Sequence, residues 1–140
     1  MREETFNITS LEINCKKLKE RLERYEVAPN DEAIKDALVK RFEYTYSTLL
    51  STLKKYFSTK PFVTEKVEEL NFNEMVRTAN QFNLLKSNLE TWTKFRAMRN
   101  MTAHSYDEAT ALKIIESLPE FCDEVTFLIK KLKDEFHGNA

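Results

Sequence analysis

The residues best equipped for chemistry lie close together near position 100. Arg99, Asn100, His104 and Tyr106 fall within the eight residues Arg99-Asn100-Met101-Thr102-Ala103-His104-Ser105-Tyr106. His104 is one of two histidines, and the other, His137, sits in the C-terminal tail, where a solvated role is expected. An imidazole titrates near neutrality, so it takes up or releases a proton under physiological conditions. A neighbouring arginine offers a permanent cation that binds phosphoryl oxygens and stabilises the charge developing on them. On a continuous helix Asn100 and His104 are four apart and share a face, with Arg99 on the adjoining flank. Tyr106 then marks the exit from that helix. An acid–base group, a fixed cation and an amide donor together suit a phosphodiester. The same residue types also cap helix ends and anchor loops, so a motif this short leaves both readings open. No acidic or cysteine partner stands at ligand spacing from His104, so neither a metal site nor a cofactor is expected. No serine is tied to the histidine by spacing, and a hydrolase triad is unsupported.

Something must hold these residues in place, and the composition says what. The chain has 140 residues, with one glycine, Gly138, and three prolines, Pro29, Pro61 and Pro119. Tight turns of sheets and hairpins usually need residues that tolerate positive φ. A chain almost without glycine favours helices joined by looser polar loops. It also lacks any glycine-rich loop that would bring backbone against a phosphate. With 22 basic and 23 acidic residues the net charge is −1, which is not the basic excess of a protein that coats long nucleic acid. A local RNA site of two or three cations remains compatible with that balance. Cys15 and Cys122 fall on apolar helix faces outside any CxxC pattern, which predicts buried reduced thiols and a cytoplasmic location. No stretch approaches the about 18 apolar residues of a membrane span, and no signal peptide is read, so no membrane partner is expected. The sequons at Asn7 and Asn100 are read as chance matches.

Periodicity supplies the elements. Leu11, Cys15, Leu18, Leu22 and Tyr25 recur at steps of four, three, four and three, one apolar stripe of a helix. Thr9 with Glu12 predicts a capping box at its start, and Pro29 closes it. Asn30 or Asp31 caps a longer helix whose stripe runs from Ile34 through Leu38, Phe42, Thr45, Leu49 and Leu53 to Tyr56 or Phe57. Tyr46, Leu50 and Phe57 widen its apolar surface, which calls for a second neighbour, here another subunit. Residues 58–71 carry no clear period, although Thr64 suits the start of a short helical turn. Asn71 with Glu74 makes a capping box for a helix from about Phe72 to Leu84. Ser87 with Glu90 makes the next, opening a helix with Leu89, Trp92, Phe95 and Met98 that runs into Arg99. Asp107 caps a helix bearing Ala111, Ile114, Ile115 and Leu118. Ser117, Glu120 and Pro119 predict a fresh start for a last helix from Phe121 to Phe136. The fold class is all-α: an up-and-down antiparallel bundle of about five helices around a four-helix core.

The stretch from Arg99 to Glu108 resembles the R-x4-H-x-Y signature of the HEPN superfamily. More narrowly it resembles the HepT group, also called nucleotidyltransferase substrate-binding proteins. The likeness extends through Met75-Val76-Arg77-Thr78-Ala79 and Leu84-Leu85 to Trp92, and length and helix order agree over 1–140, read as one domain. The resemblance implies a homodimer, often encoded beside a minimal nucleotidyltransferase. It implies toxins among its members that are metal-independent ribonucleases, with Arg99 and His104 catalytic and Asn100 beside them. It further implies that the partner enzyme attaches AMP at Tyr106 and so silences the toxin in some systems. An alternative is a non-catalytic subunit that binds nucleotide in the same dimer cleft, and a third is a helical adaptor whose motif is structural. Cleavage by 2′-hydroxyl attack needs a base and an acid, whereas one protomer offers one suitably placed histidine. The two Arg99–His104 segments are therefore expected to face each other across a twofold axis.

Overall fold

The computed structural model describes residues 6–60, 64–103 and 107–136, with backbone alone for 64–66. The described residues form five α-helices: α1 (Thr9–Val27), α2 (Glu32–Phe57), α3 (Phe72–Gln81), α4 (Leu89–Ala103) and α5 (Glu108–Phe136). A 3₁₀ turn, Thr64–Glu69, lies between α2 and α3 where a short helical turn is predicted. No strand occurs among the described residues.

Side-chain partners fix the directions of the helices. Asn14 of α1 donates to the Thr48 hydroxyl of α2, while Glu12 and Cys15 of α1 meet Lys133 and Thr126 of α5. Glu43 and Tyr46 of α2 face Thr102 and Arg99 of α4, and Lys94 of α4 pairs with Glu120 of α5. Each of these pairings runs antiparallel. Helices α2 and α5 instead run parallel, with Lys35 on Glu108, Phe42 on Phe121 and Tyr56 on Glu135. The core is therefore an up-and-down four-helix bundle of α1, α2, α4 and α5, with α3 set against α2 and α4.

The buried stripe of α5 explains its length. Ala111, Ile114, Leu118, Phe121, Val125, Leu128 and Leu132 alternate steps of three and four without a change of phase. A break at Pro119 would shift that phase, so the expected fresh helix start at Ser117–Glu120 does not occur. Pro119 sits inside one 29-residue helix, on its exposed side. There the ring stands clear of the packed face, which stays intact. Phe121 lies at the centre of the core, in edge contact with Phe42 at 5.0 Å and Phe95 at 5.2 Å, with Trp92 at 6.3 Å. Of the second apolar face of α2, Tyr46 and Phe57 are buried within the chain, while Leu50 is only half-buried.

The helix ends show which local signals prevail. The Asp31 carboxylate accepts from Ala33 and Ile34, and Asn71 with Glu74 forms the reciprocal box. Asp107 accepts from the Thr110 amide, which holds its carboxyl below the usual range. The Thr9–Glu12 box does not form; Asn7 reaches forward to the Thr9 amide instead. Likewise Asn88, and not Ser87, accepts from Glu90, and the Ser87 amide that the box would give to Glu90 goes to the carboxylate of Glu124. Helix α3 stops at Gln81, three residues before the expected Leu84. Asn83 takes φ of 60°, so the Leu84 amide reaches Ala79 and the Asn83 amide reaches Asn80. That is the Schellman arrangement, with asparagine in the position glycine usually fills.

Candidate functional site

The last turns of α4 carry the first half of the motif, and their register is set by the core. Trp92, Phe95 and Met98 are buried, which leaves Arg96, Arg99 and Asn100 toward the side facing α2 and α3. Trp92 itself is fully buried and belongs to the core. Arg99 is half-buried. Its Nη1 lies 3.4 Å from the Thr102 hydroxyl and 3.9 Å from Glu43 Oε2. The Thr102 hydroxyl oxygen is 2.7 Å from that carboxylate and 2.7 Å from the Arg99 carbonyl. Glu43 therefore reaches the guanidinium mostly through Thr102. A long, part-solvated ion pair neutralises little of the arginine charge, so Arg99 is oriented while its cation stays available to a ligand. Asn100 is exposed, and its side chain makes no hydrogen bond to another described residue.

His104 and Tyr106 lie outside the described residues. The chain on either side of them is anchored to α2. Thr102 is bonded to Glu43, and beyond the motif Glu108 meets the ammonium of Lys35 at 3.0 Å. The Lys35 side chain is 6% exposed and also contacts Glu32 at 3.3 Å. Its hydrogen bond to the Glu108 carboxylate raises its pKa above the usual lysine range.

Arg99 and Asn100 border an open depression of about 670 Å³ between α2, α3 and α4. Three helical faces build it. Tyr46, Leu50 and Lys54 recur every four residues on α2, Phe72 and Met75 are one turn apart on α3, and Arg96 and Arg99 are one turn apart on α4. Its charged lining is Lys54, Arg96 and Arg99, with no carboxylate among the lining residues. Such an enclosure raises the local concentration of anions. Burial pushes the Tyr46 phenol up to about 12, against the pull of Arg96 and Arg99. The sequence singled out Arg99 and Asn100 but not Glu43, Arg96 or Lys54. Arg96, one turn before Arg99, was legible as a second cation on that flank. Glu43 carries no such signal, being 59 residues from Thr102.

Among the described residues no group of three or more His, Cys, Asp or Glu is gathered as metal ligands would be. No helix among them is long and apolar enough to cross a membrane.

The architecture defines an all-α four-helix bundle with one short inserted helix. The chain belongs to the nucleotidyltransferase substrate binding protein like family, whose model matches residues 6–134. It is similar to the Haemophilus influenzae protein named "Probable ribonuclease HepT", at 27% identity over 95 residues. That match covers 68% of this chain and 64% of the relative, so it spans just under two thirds of the relative's length. A solved Haemophilus influenzae structure, reported as the fold of a substrate binding domain of a nucleotidyltransferase, shares the fold with a TM-score of 0.83. Identity to it is 22%, with 91% of this chain and 99% of that chain covered.

Proposed function

We propose that this protein is a HepT-like, metal-independent ribonuclease, the toxin of a pair whose antitoxin is a minimal nucleotidyltransferase. The observation that carries this reading is Arg99, oriented through Thr102 and Glu43 at the edge of a depression whose charged lining is entirely cationic. Arg99 holds the scissile phosphate and offsets the charge gathering on its oxygens. Asn100 orients the same group as a hydrogen-bond donor. His104 moves the proton. The ribose 2′-oxygen bonds to phosphorus as its proton passes to a base, the bond to the 5′-oxygen breaks, and an acid protonates that leaving oxygen. The products are a 2′,3′-cyclic phosphate and a free 5′-hydroxyl. Two histidines serve as acid and base when the protein dimerises with its two motifs at the twofold axis. AMP attached to Tyr106 adds bulk and negative charge beside the cations and opposes RNA binding.

A second reading is supported by the family description and by the depression itself, whose apolar and cationic parts suit a nucleotide. The protein is then a non-catalytic subunit that holds nucleotide for a partner nucleotidyltransferase. Regulated expression in a bacterial host without any transferase separates the two. The ribonuclease reading expects growth arrest with RNA breakage, both lost in His104→Ala. Soluble, dimeric wild type that leaves growth and RNA untouched supports the binding subunit.

A further inference from the structure

The depression has features that a phosphate clamp at Arg99 does not use. Tyr46 is 5% exposed, lines the depression, and its hydroxyl bonds no other described residue. That hydroxyl opens onto the depression, where a ligand can offer it a hydrogen bond. Across from it the Arg96 Cζ lies 5.0 Å over the centre of the Phe72 ring. Arg96 is exposed and pairs with no carboxylate among the described residues. An aromatic ring backing an exposed guanidinium is a surface on which an unpaired base stacks. Leu50 and Met75 give the space an apolar floor, and Lys54 adds a cation two helical turns along α2 from Tyr46. The volume, about 670 Å³, lies in the range of small-ligand sites.

We propose that this depression is a nucleoside subsite for single-stranded RNA, adjoining the phosphate held by Arg99. The base stacks on the Arg96–Phe72 pair, the Tyr46 hydroxyl bonds an edge of the base or ribose, and Lys54 meets a flanking phosphate. This deepens the ribonuclease reading and rests on it. It makes unpaired RNA the substrate class, because a base inside a duplex is not free to enter.

The test is equilibrium binding of the full chain to short fluorescent 2′-O-methyl oligonucleotides, which resist 2′-hydroxyl attack, single-stranded and as duplex. Wild type is expected to bind the single strand and to bind the duplex poorly. Arg96→Ala should weaken binding about tenfold, the worth of one stacked base. Arg96→Lys, which keeps the charge without the planar fork, should recover little of it. Tyr46→Phe should change the preference among bases at one position. Unchanged binding in Arg96→Ala and Tyr46→Phe would overturn the subsite, as would full recovery in Arg96→Lys, equal affinity for duplex, or affinity for mononucleotides alone. Cleavage of unmodified RNA by the same preparations keeps the two claims apart. Cleavage with unchanged binding in the variants removes only the subsite. Binding that depends on Arg96 without any cleavage keeps the subsite and removes the ribonuclease reading.

Discussion

At the scale of single residues, the arrangement assigns a positioning role to Thr102. Its hydroxyl sits between Glu43 and Arg99 and is the shortest polar link between α4 and α2 near the motif. Thr102→Val keeps the shape and removes that link. On the ribonuclease reading, cleavage should fall about tenfold, the loss of roughly one charge-assisted hydrogen bond. Thermal stability should change little. A raised KM with unchanged kcat would mean that Thr102 serves ground-state binding alone, so the prediction is read from KM and kcat separately. The two thiols offer a check on the core instead. Burial pushes Cys122 up to about 12 and also raises Cys15. At pH 8 the native Cys122 is then held as the neutral thiol. Reaction with a thiol reagent should be slow in the folded protein and fast in denaturant. The sign of the linkage follows: stability is fully present below the ordinary thiol pKa of about 8.5 and falls as pH rises toward the folded value. The buried, reduced character of both cysteines was legible from their place on apolar stripes. The Glu43–Thr102 contact was not, since it depends on how two helices distant in sequence are set against each other.

At the scale of elements, local signals succeeded where nothing competed with them. Asp31, Asn71 with Glu74, and Asp107 cap as their residue types predict, because each stands exposed at a free helix end. At Ser87 the box gives way: Asn88 takes the Glu90 amide, and Glu124, 1% exposed and 37 residues away, takes the Ser87 amide. At Pro119 a local stop signal met an uninterrupted buried stripe, and the stripe prevailed. Seven apolar residues in phase, each worth roughly 1.5–3 kcal/mol when a large side chain is buried, outweigh the roughly 3 kcal/mol of an internal proline. Pro119→Ala restores the amide to the Ile115 carbonyl and should raise stability by about 1–3 kcal/mol, with part of the gain offset by a freer unfolded chain. A higher midpoint of urea unfolding with an unchanged slope is the expected result. A lower midpoint would mean that the proline fits this site without strain.

At the scale of the whole molecule, the all-α class and the four-helix core follow from a chain with one glycine and three- and four-residue apolar steps. The depression beside Arg99 does not, because it gathers α2, α3 and α4 through packing that no single helix announces. The one tryptophan gives a fold control for every variant above. Trp92 is fully buried and its indole nitrogen has no hydrogen-bond partner among the described residues. Its emission should lie well to the blue of solvated indole and move red on unfolding; a solvent-like maximum in the native protein would contradict the packing of α4 against α5. The central claim is that the Arg99–His104 motif cleaves RNA without a metal. Its most direct test is incubation of purified wild type, Arg99→Ala and His104→Ala with single-stranded RNA in excess chelator, analysing the new ends. Wild type alone is expected to cleave, leaving 2′,3′-cyclic phosphate and 5′-hydroxyl ends. Intact RNA with folded, dimeric wild type, or equal cleavage by His104→Ala, would contradict it.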